Sequence, residues 1–531
     1  LAFSVTPSLA LRVQEYLPIA ERGYLSMTDG ASFSYDGNVT LNYNTLVNEK
    51  HIIYAGAGLE VTQNDNNSHG FIMTGFPDDR YSDPAFAIQY KKETKPSSSE
   101  SKSRAIGFFA NGNYSYDDRY FADVSVRIDG SSKFGADKKY APFWSAGAGW
   151  NVHNEKFFKH TKISMLKLRY SYGVTGNQEF SAYQAKTMFQ FNTDRLYNSG
   201  ISAALMGYGN PDLEWQNQYQ SNYGFDFGYA KDRIRLQFNY YQKKTEGMLT
   251  SVSVAPSLGL PSNTFTSNLG KIQNKGVEVN LNAVLIRDQG KDFEWSVMLQ
   301  AAHNKNKIME ISTALKNINE KNNQDKTTPA AVYEEGESMS AIKAVPSLGI
   351  DPTTGQELFM KKDGTITYTW DATDKVICGD SEPKVFGNVG TNLYWKGWNL
   401  NMVFKYDLGA DYYNSTLAER VEGANPRYNA DRRVLNNRWK EPGQHALYKN
   451  IKEYTTTYIS SRFVQKENTL QLTSLSLSYD LNREWIRKFG LNTMRLSFYM
   501  NDVFRASTVK NERGLDYPFQ RSFVFGLNIG F

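Results

Sequence analysis

The residues of this chain that could do chemistry gather in two polar stretches. Near 306–383 lie Glu334, Glu335, Glu337, Asp371, Asp374 and Asp380, with Tyr368 and Trp370 among them; near 410–460 lie Tyr412, Tyr413, Arg427 and Tyr428. Paired carboxylates could cleave a glycosidic bond, but only if held roughly 5–10 Å apart, which sequence spacing does not fix. Solvated loop charges are the commoner reading. Rings beside amides and carboxylates suit a different task, because sugar faces stack on rings and hydroxyls take polar partners. Tyr368, Trp370, Tyr412, Tyr413, Arg427 and Tyr428 are therefore the candidate substrate-binding residues. Loop packing, or contact with a partner protein, is the more usual role for side chains of this kind.

Other chemistry is sparse. The chain has no GxxxxGK[ST] phosphate loop, HExxH zinc helix or GxSxG elbow. His51, His69, His153, His160, His303 and His445 are scattered without metal-ligand spacing. Cys378 is the one cysteine, which excludes an internal disulfide and a cysteine-based zinc site. No catalytic role, cofactor or metal is expected. The net charge of +5 is small for 531 residues and spread along the chain, which argues against a nucleic-acid partner.

The elements that would carry these residues are strands. In DRYFADVSVRIDGSSKFG (118–135), Tyr120, Ala122, Val124, Val126 and Ile128 share one parity, while Phe121, Asp123, Ser125, Arg127 and Asp129 share the other. Such alternation gives a strand with one apolar and one wet face. The pattern recurs at Leu166–Tyr172, Ile234–Tyr240, Val277–Leu285, Trp295–Ala301, Leu475–Leu481 and Phe523–Phe531. About sixteen such segments can be counted, most about ten residues long, the length that crosses a bilayer when tilted. No run of eighteen apolar residues offers a membrane helix. The mean hydropathy of −0.55 does not conflict with membrane strands, since only alternate residues meet lipid.

Tight turns such as Ala230-Lys231-Asp232, Asp288–Lys291 and Lys396-Gly397 contrast with the long polar stretches 306–383 and 410–460. Tyr, Phe and Trp crowd the tight turns, as expected of a girdle at the membrane boundary. Gly56-Ala57-Gly58 and Gly147-Ala148-Gly149 lie inside strand-like segments, where small residues relieve crowding. The expected fold is an all-β transmembrane antiparallel barrel, with short turns on one side and long loops on the other. Asp129-Gly130-Ser131-Ser132 reads as a strand terminus. The opening LAFSVTPSLALRVQEYL starts inside a strand-like segment without a Met or a signal-type region, and is read as the interior of something longer.

Long stretches also look familiar. GFFANGNYSYDDRYFADVSVRIDGSSKFGADKKYAPFWSAGAGWNVHNEKFF (107–158) and LKLRYSYGVTGNQ (166–178) resemble SusC/RagA-like TonB-dependent outer-membrane transporters. So, in the same order, do NPDLEWQNQYQSNYGFDFGYAKDRIRLQFNYYQKKTEGML (210–249), SNLGKIQNKGVEVNL (267–281), GDSEPKVFGNVGTNLYWKGWNLNMVFKYDLGADYYN (379–414) and the tail RGLDYPFQRSFVFGLNIGF.

The resemblance implies a barrel of twenty-two strands with a plug inside it. Residues 1–531 would form a TonB-dependent receptor-like β-barrel domain that is only part of that barrel, without the plug or the TonB-contacting segment. It further implies the outer membrane of a Gram-negative bacterium, long extracellular loops and short periplasmic turns. Import would be energised by the TonB complex, with a SusD-like lipoprotein lid and a dimer of transporter–lipoprotein pairs. The expected cargo is an oligosaccharide, with oligopeptide as the alternative. A siderophore or cobalamin importer, a passive porin and a soluble β-rich glycan-binding protein or hydrolase are the remaining readings. In the last of these, the apolar parity would pack inward.

Overall fold

The structure is a computed structural model. It describes residues 4–5, 18–76, 83–135, 138–158, 162–177, 182–198, 200–210, 213–253, 264–268, 270–311, 316, 319–320, 322–327, 329–425, 427, 431–452, 455–510 and 520–531. Its centre is one antiparallel sheet of seventeen strands, two of them the short strips Ser4–Val5 and Gln89–Tyr90. The fifteen long strands are β1 (Tyr24–Val47), β2 (His51–Thr74), β3 (Ser97–Tyr116), β4 (Tyr120–Ser131), β5 (Tyr140–Asn151), β6 (Ile163–Asn177), β7 (Gln216–Tyr229), β8 (Ile234–Glu246), β9 (Lys271–Asp288), β10 (Phe293–Glu310), β11 (Val385–Trp395), β12 (Trp398–Tyr413), β13 (Val464–Asp480), β14 (Thr493–Ser507) and β15 (Phe523–Gly530). Each pairs with the next in chain order. Among the described residues β1 and β15 do not pair with each other, so the chain supplies an arc of barrel wall.

The direction in which the apolar parity points decides between membrane and soluble sandwich. On β4 it is the bare face: Val124, Val126 and Ile128 are 51%, 46% and 45% exposed. The charged parity faces inward and is laced together. Arg127 reaches Glu60 of β2 at 2.8 Å and Asp129 at 2.6 Å. Two strands further on, Arg169 binds Asp226 at 2.7 Å and Asn239 at 3.2 Å. A soluble sandwich would reverse this arrangement. Apolar outside and polar inside is the arrangement of a barrel in lipid. The glycines serve the crowded inner face. A Cβ on Gly149 would stand 1.8 Å from the ring of Phe121, which lies across it beneath the ammonium of Lys167.

Connections alternate strictly by end. At one end lie 48–50, 117–119, 152–162, 230–233, 289–292, 396–397 and 481–492. Ala230, Lys231 and Asp232 all take left-handed φ values of 53°, 56° and 63°, reversing the chain in minimal length. Rings gather here with their polar tips satisfied. Glu155 accepts from the Tyr120 hydroxyl at 2.8 Å and the Trp150 indole at 3.1 Å, Trp295 donates to Thr391 at 2.9 Å, and Trp398 meets Tyr479 at 4.6 Å.

At the other end the strands outrun their expected length. β1 and β2 have 24 residues each, and β9 and β10 have 18. They project past the bilayer, where both parities are polar and alternation of hydropathy no longer marks a strand. The DGSSKFG segment ends β4 at Ser131 and tucks Phe134 against Trp215, with centroids 4.3 Å apart, in a small core with Phe143 and Val174.

The two longest connections, 311–384 and 414–463, carry structure of their own. The first holds the antiparallel pair Ala341–Ala344 with Val376–Asp380, and a three-stranded sheet of Ser347–Ile350, Glu357–Met360 and Ile366–Thr367. The second begins with a helical turn at Leu417–Glu422, whose Leu417, Ala418 and Val421 pack on Phe463. The two interlock. Ser461 N–H donates to Val345 O at 2.9 Å, and the Trp439 indole donates to Pro352 O at 2.8 Å. Arg462 forks between Glu422 and Glu357, whose side chains are 1% and 5% exposed. Burial disfavours the guanidinium charge, but the two carboxylates outweigh it and its pKa is raised. Arg438 is buried on backbone alone, donating to Val434 O, Lys449 O, Val421 O and Glu422 O.

In the full-length protein, Val126→Arg should cost about 2–4 kcal/mol if the site lies near mid-bilayer, whereas Arg127→Gln in the wetted interior should cost below about 1 kcal/mol. Urea titration of the protein folded into lipid vesicles measures both, and equal costs would reverse the assigned faces. Arg462→Met leaves Glu357 buried without a cation and Glu422 with only Lys449 at 3.9 Å, at a cost of about 3–5 kcal/mol. Hydrogen exchange should then rise across 345–360 and 414–425 while the strands keep their protection; unchanged loops would refute the interlock. Asp431 caps Arg432–Leu435, and hydrogen bonds from the Arg433 side chain and backbone hold its carboxyl at about 2, below its ordinary 3.8. Being depressed in the fold, it contributes fully above about pH 4 and is lost as pH falls through 2; an NMR titration of this carboxyl in the ordinary range would contradict that.

Candidate functional site

The inward parity of the strand ends forms a polar mouth below the interlocked loops. On β10 this parity runs through Gln300, Asn304 and Asn306. Asn304 accepts from the Tyr241 hydroxyl of β8 at 3.0 Å and donates to Glu382 at 2.6 Å, and Asn306 donates to the other oxygen of Glu382 at 2.6 Å. Ser338 and the Met339 N–H, from the 311–384 connection, close on Asn306 at 3.1 and 2.7 Å. Lower on the wall, Asn388 donates to Gln300 at 3.1 Å. A cleft of about 360 Å³ opens here, between the end of β10, residues 380–384 and Gly409–Asp411.

Its lining mixes carboxamides and hydroxyls with His303, Lys305, Lys307 and Lys384 and with the carboxylates of Asp380, Glu382 and Asp411. Carboxamides and hydroxyls, each with donor or acceptor capacity to spare, can trade hydrogen bonds with a hydroxyl-rich or amide-rich solute. The carboxylates are tied down: Asp411 by Lys466 at 2.7 Å and by the Asp380 N–H at 3.1 Å, Asp380 by Ser340 at 2.6 Å. Among the described residues no three His, Cys, Asp or Glu side chains are placed to hold a metal.

The six candidate residues do not converge on this mouth as one site. Tyr368 is 49% exposed, and its hydroxyl donates to Asp351 at 2.6 Å. That bond, with others from Thr353 and Thr354, holds the Asp351 carboxyl below the usual range. Trp370 stacks on Tyr458 at 5.1 Å and 10°, and its indole donates to Ile459 O at 2.9 Å, so it helps join the two long connections. Lys375, held by Asn323 O and Asp325 O at 2.8 Å, stands 5.6 Å from that ring, and burial lowers its pKa.

Tyr412 and Tyr413 end β12. Tyr412 is half-buried opposite Gln465, and Tyr413 is half-buried edge-on to Phe463 at 6.0 Å. Arg427 is exposed, with its backbone N–H on Asn425 at 3.0 Å. Tyr428 lies outside the described residues. Of the acidic group, Glu334 and Glu337 bind Lys343 at 2.7 Å each, and Asp371 caps Ala372–Asp374. Cys378 donates to Ala344 O, and burial pushes its thiol up. Asn304 and Asn306 escaped the sequence reading, although the run Asn-Lys-Asn-Lys at 304–307 continues the alternation of Trp295–Ala301 and was the signal available.

A family model described as TonB dependent receptor-like, beta-barrel matches residues 8–503. TonB-dependent receptor P3 of Formosa agariphila is 28% identical over 486 residues, covering 82% of this chain and 46% of its own length. TonB-dependent receptor SusC of Bacteroides thetaiotaomicron is 23% identical over 535 residues, covering 94% and 51%. Among solved structures, the RagAB peptide importer in its closed-closed state superposes with a TM-score of 0.83 at 22% identity, over 96% of this chain and 57% of that one. The chain thus spans about half the length of the curated relatives it matches. Members of the family are transport proteins rather than enzymes. With its lipid-facing apolar parity, its polar interior and its alternating short and long connections, this chain belongs to the TonB-dependent receptor-like β-barrel family, as an outer-membrane barrel of the SusC/RagA type.

Proposed function

We propose that the whole protein, of which residues 1–531 are a barrel-domain portion, actively imports oligosaccharides across the outer membrane. A SusD-like lipoprotein would sit over the interlocked connections 311–384 and 414–463 as a lid, and TonB would supply the energy. The observation that carries the cargo reading is the set of amide and hydroxyl groups at Asn304, Asn306, Tyr241 and Ser338 in the mouth, which suit sugar hydroxyls. The relative named SusC supports the family half of the reading. The wall asks nothing of the cargo beyond exchangeable hydrogen bonds, and no covalent step is required of it.

Oligopeptide import is the second reading, favoured by the fold likeness to the RagAB peptide importer. Backbone amides would use the same carboxamides. Among the described candidate residues, Tyr368 and Arg427 are exposed and would reach cargo directly, while Trp370 and Tyr413 would act through the shape of the loops.

Isolating the full-length protein from native membranes with its lipoprotein partner, and identifying the retained ligand by mass spectrometry, decides the cargo. An oligosaccharide is expected, and peptides alone would install the second reading. Uptake should stop when the inner-membrane proton gradient is collapsed; uptake that persists would mark a passive porin. Tyr368→Ala should weaken oligosaccharide retention about threefold to tenfold, the worth of one stacking ring. Trp370→Ala should instead raise hydrogen exchange at 455–461, and a Tyr368→Ala variant with unaltered retention would remove Tyr368 from the cargo path.

A further inference from the structure

The outward parity of β8–β10 changes character abruptly toward the long-loop end. On β10 it reads Trp295, Val297, Leu299, Ala301, His303, Lys305, Lys307, and on β9, read toward the same end, Leu281, Val279, Val277, Lys275. Register places Lys275 directly opposite Lys305, with Lys307 one outward position further along. All three lysines are exposed. Like charges facing each other across an antiparallel pair are destabilising unless something answers them.

No such answer comes from the protein. Among the described residues none of these three ammonium groups has an ion-pair or hydrogen-bond partner, although neighbouring lysines do: Lys244 binds Glu246 and Lys271 binds Glu310, each at 2.7 Å. Glu382 nearby is occupied on the inner side by Asn304 and Asn306. Asp380, Glu382 and Asp411, which share the cleft of Lys305 and Lys307, are bound by Ser340, by Asn304 and Asn306, and by Lys466, so the wall leaves three lysines in one outward patch without a bonded partner.

Height identifies what they face. Trp295 lies beside the short turn 289–292, in the aromatic girdle. Ten residues on, at about 3.4 Å per residue along a strand tilted about 40°, Lys305 stands about 26 Å away along the membrane normal. That is the thickness of the apolar band, about 25 Å. The patch begins where the hydrocarbon of the outer leaflet ends and its headgroups start.

We infer that Lys275, Lys305 and Lys307 form a docking surface for the phosphate-bearing headgroup of an outer-leaflet lipid. The ammonium groups converge from two strands on one anion, with the acyl chains lying along Val277, Val279, Ala301 and Leu299 below. Lys305 and Lys307 also flank the cleft at the end of β10, so this surface adjoins the mouth on its outer side.

The test uses full-length protein in dodecyl maltoside micelles doped with phosphatidic acid or with zwitterionic phosphatidylcholine, with bound lipid read by native mass spectrometry. Each lysine near a charged lipid surface is worth about fivefold in affinity. The triple variant Lys275→Gln, Lys305→Gln, Lys307→Gln should therefore lose phosphatidic acid on the order of a hundredfold. Lys405→Gln, on the inner parity beside Asp407, should lose none. In the wild-type protein, raising NaCl from about 50 to 500 mM should release phosphatidic acid and leave phosphatidylcholine unchanged, because headgroup charge is screened over such distances. Equal retention by the triple variant, or wild-type retention indifferent to salt, would overturn the assignment. Full displacement by millimolar inorganic phosphate would overturn it as well, in favour of a free-phosphate site.

Discussion

Inside hydrocarbon no water is available to a peptide group, so each N–H and C=O that crosses must find its partner in a neighbouring strand. Everything else in this molecule follows from that requirement. It forces long antiparallel strands, and the simplest way to keep each one paired is to join it to its sequence neighbour, as happens from β1 to β15. Nearest-neighbour pairing in turn fixes which connections share an end. It also fixes the parity. Across the hydrocarbon, once one face is given to lipid the other must hold the charges, and Arg127, Glu60, Asp129, Arg169 and Asp226 bind one another there because they share an interior.

The loop end obeys a different rule. Beyond the bilayer, water returns and the sheet no longer needs to be continuous, so β10 and β11 part after the Ala302–Phe386 pair and open the cleft. What joins the two connections there is a compact core of buried carboxylates and guanidinium groups, beside their own short strand pairs and the apolar cluster on Phe463. Arg462 and Arg438 are the hubs. One reads two acidic side chains and the other only carbonyl oxygens, a job suited to a planar donor fork that a lysine could not match. The long connections consequently behave as a shaped surface above the mouth.

How far these features could be read from sequence depended on how local their cause is. The parity of 118–135 is a two-residue period, visible without any fold, and it carried the whole barrel reading. Strand ends were less visible. Past the hydrocarbon both faces are polar, so β1, β2, β9 and β10 extend well beyond the segments their hydropathy marks. The aromatic residues at 368–370 and 412–413 stand out by type, but type does not say whether a ring greets a solute or, like Trp370 on Tyr458, its own loop. Glu357 and Arg462 lie 105 positions apart, and no spacing rule links them. The carboxamides of the mouth lay in between, readable only by continuing a parity past the point where its apolar partner becomes lysine and histidine.

The strict neighbour-to-neighbour order of the wall also has a kinetic side. Strands joined by 230–233, 289–292 or 396–397 can zip with little entropic penalty, whereas uniting β10 with β11 must first close the excursion 311–384. By the logarithmic law for loop closure this costs about 2–3 kcal/mol more than closing a four-residue turn. Assembly should thus proceed as preformed hairpins, β9 with β10 and β11 with β12, that later coalesce across the excursions. The slow seams of the barrel then coincide with its loop-bearing junctions, and the extramembrane platform matures only as the last stitches of the wall are made.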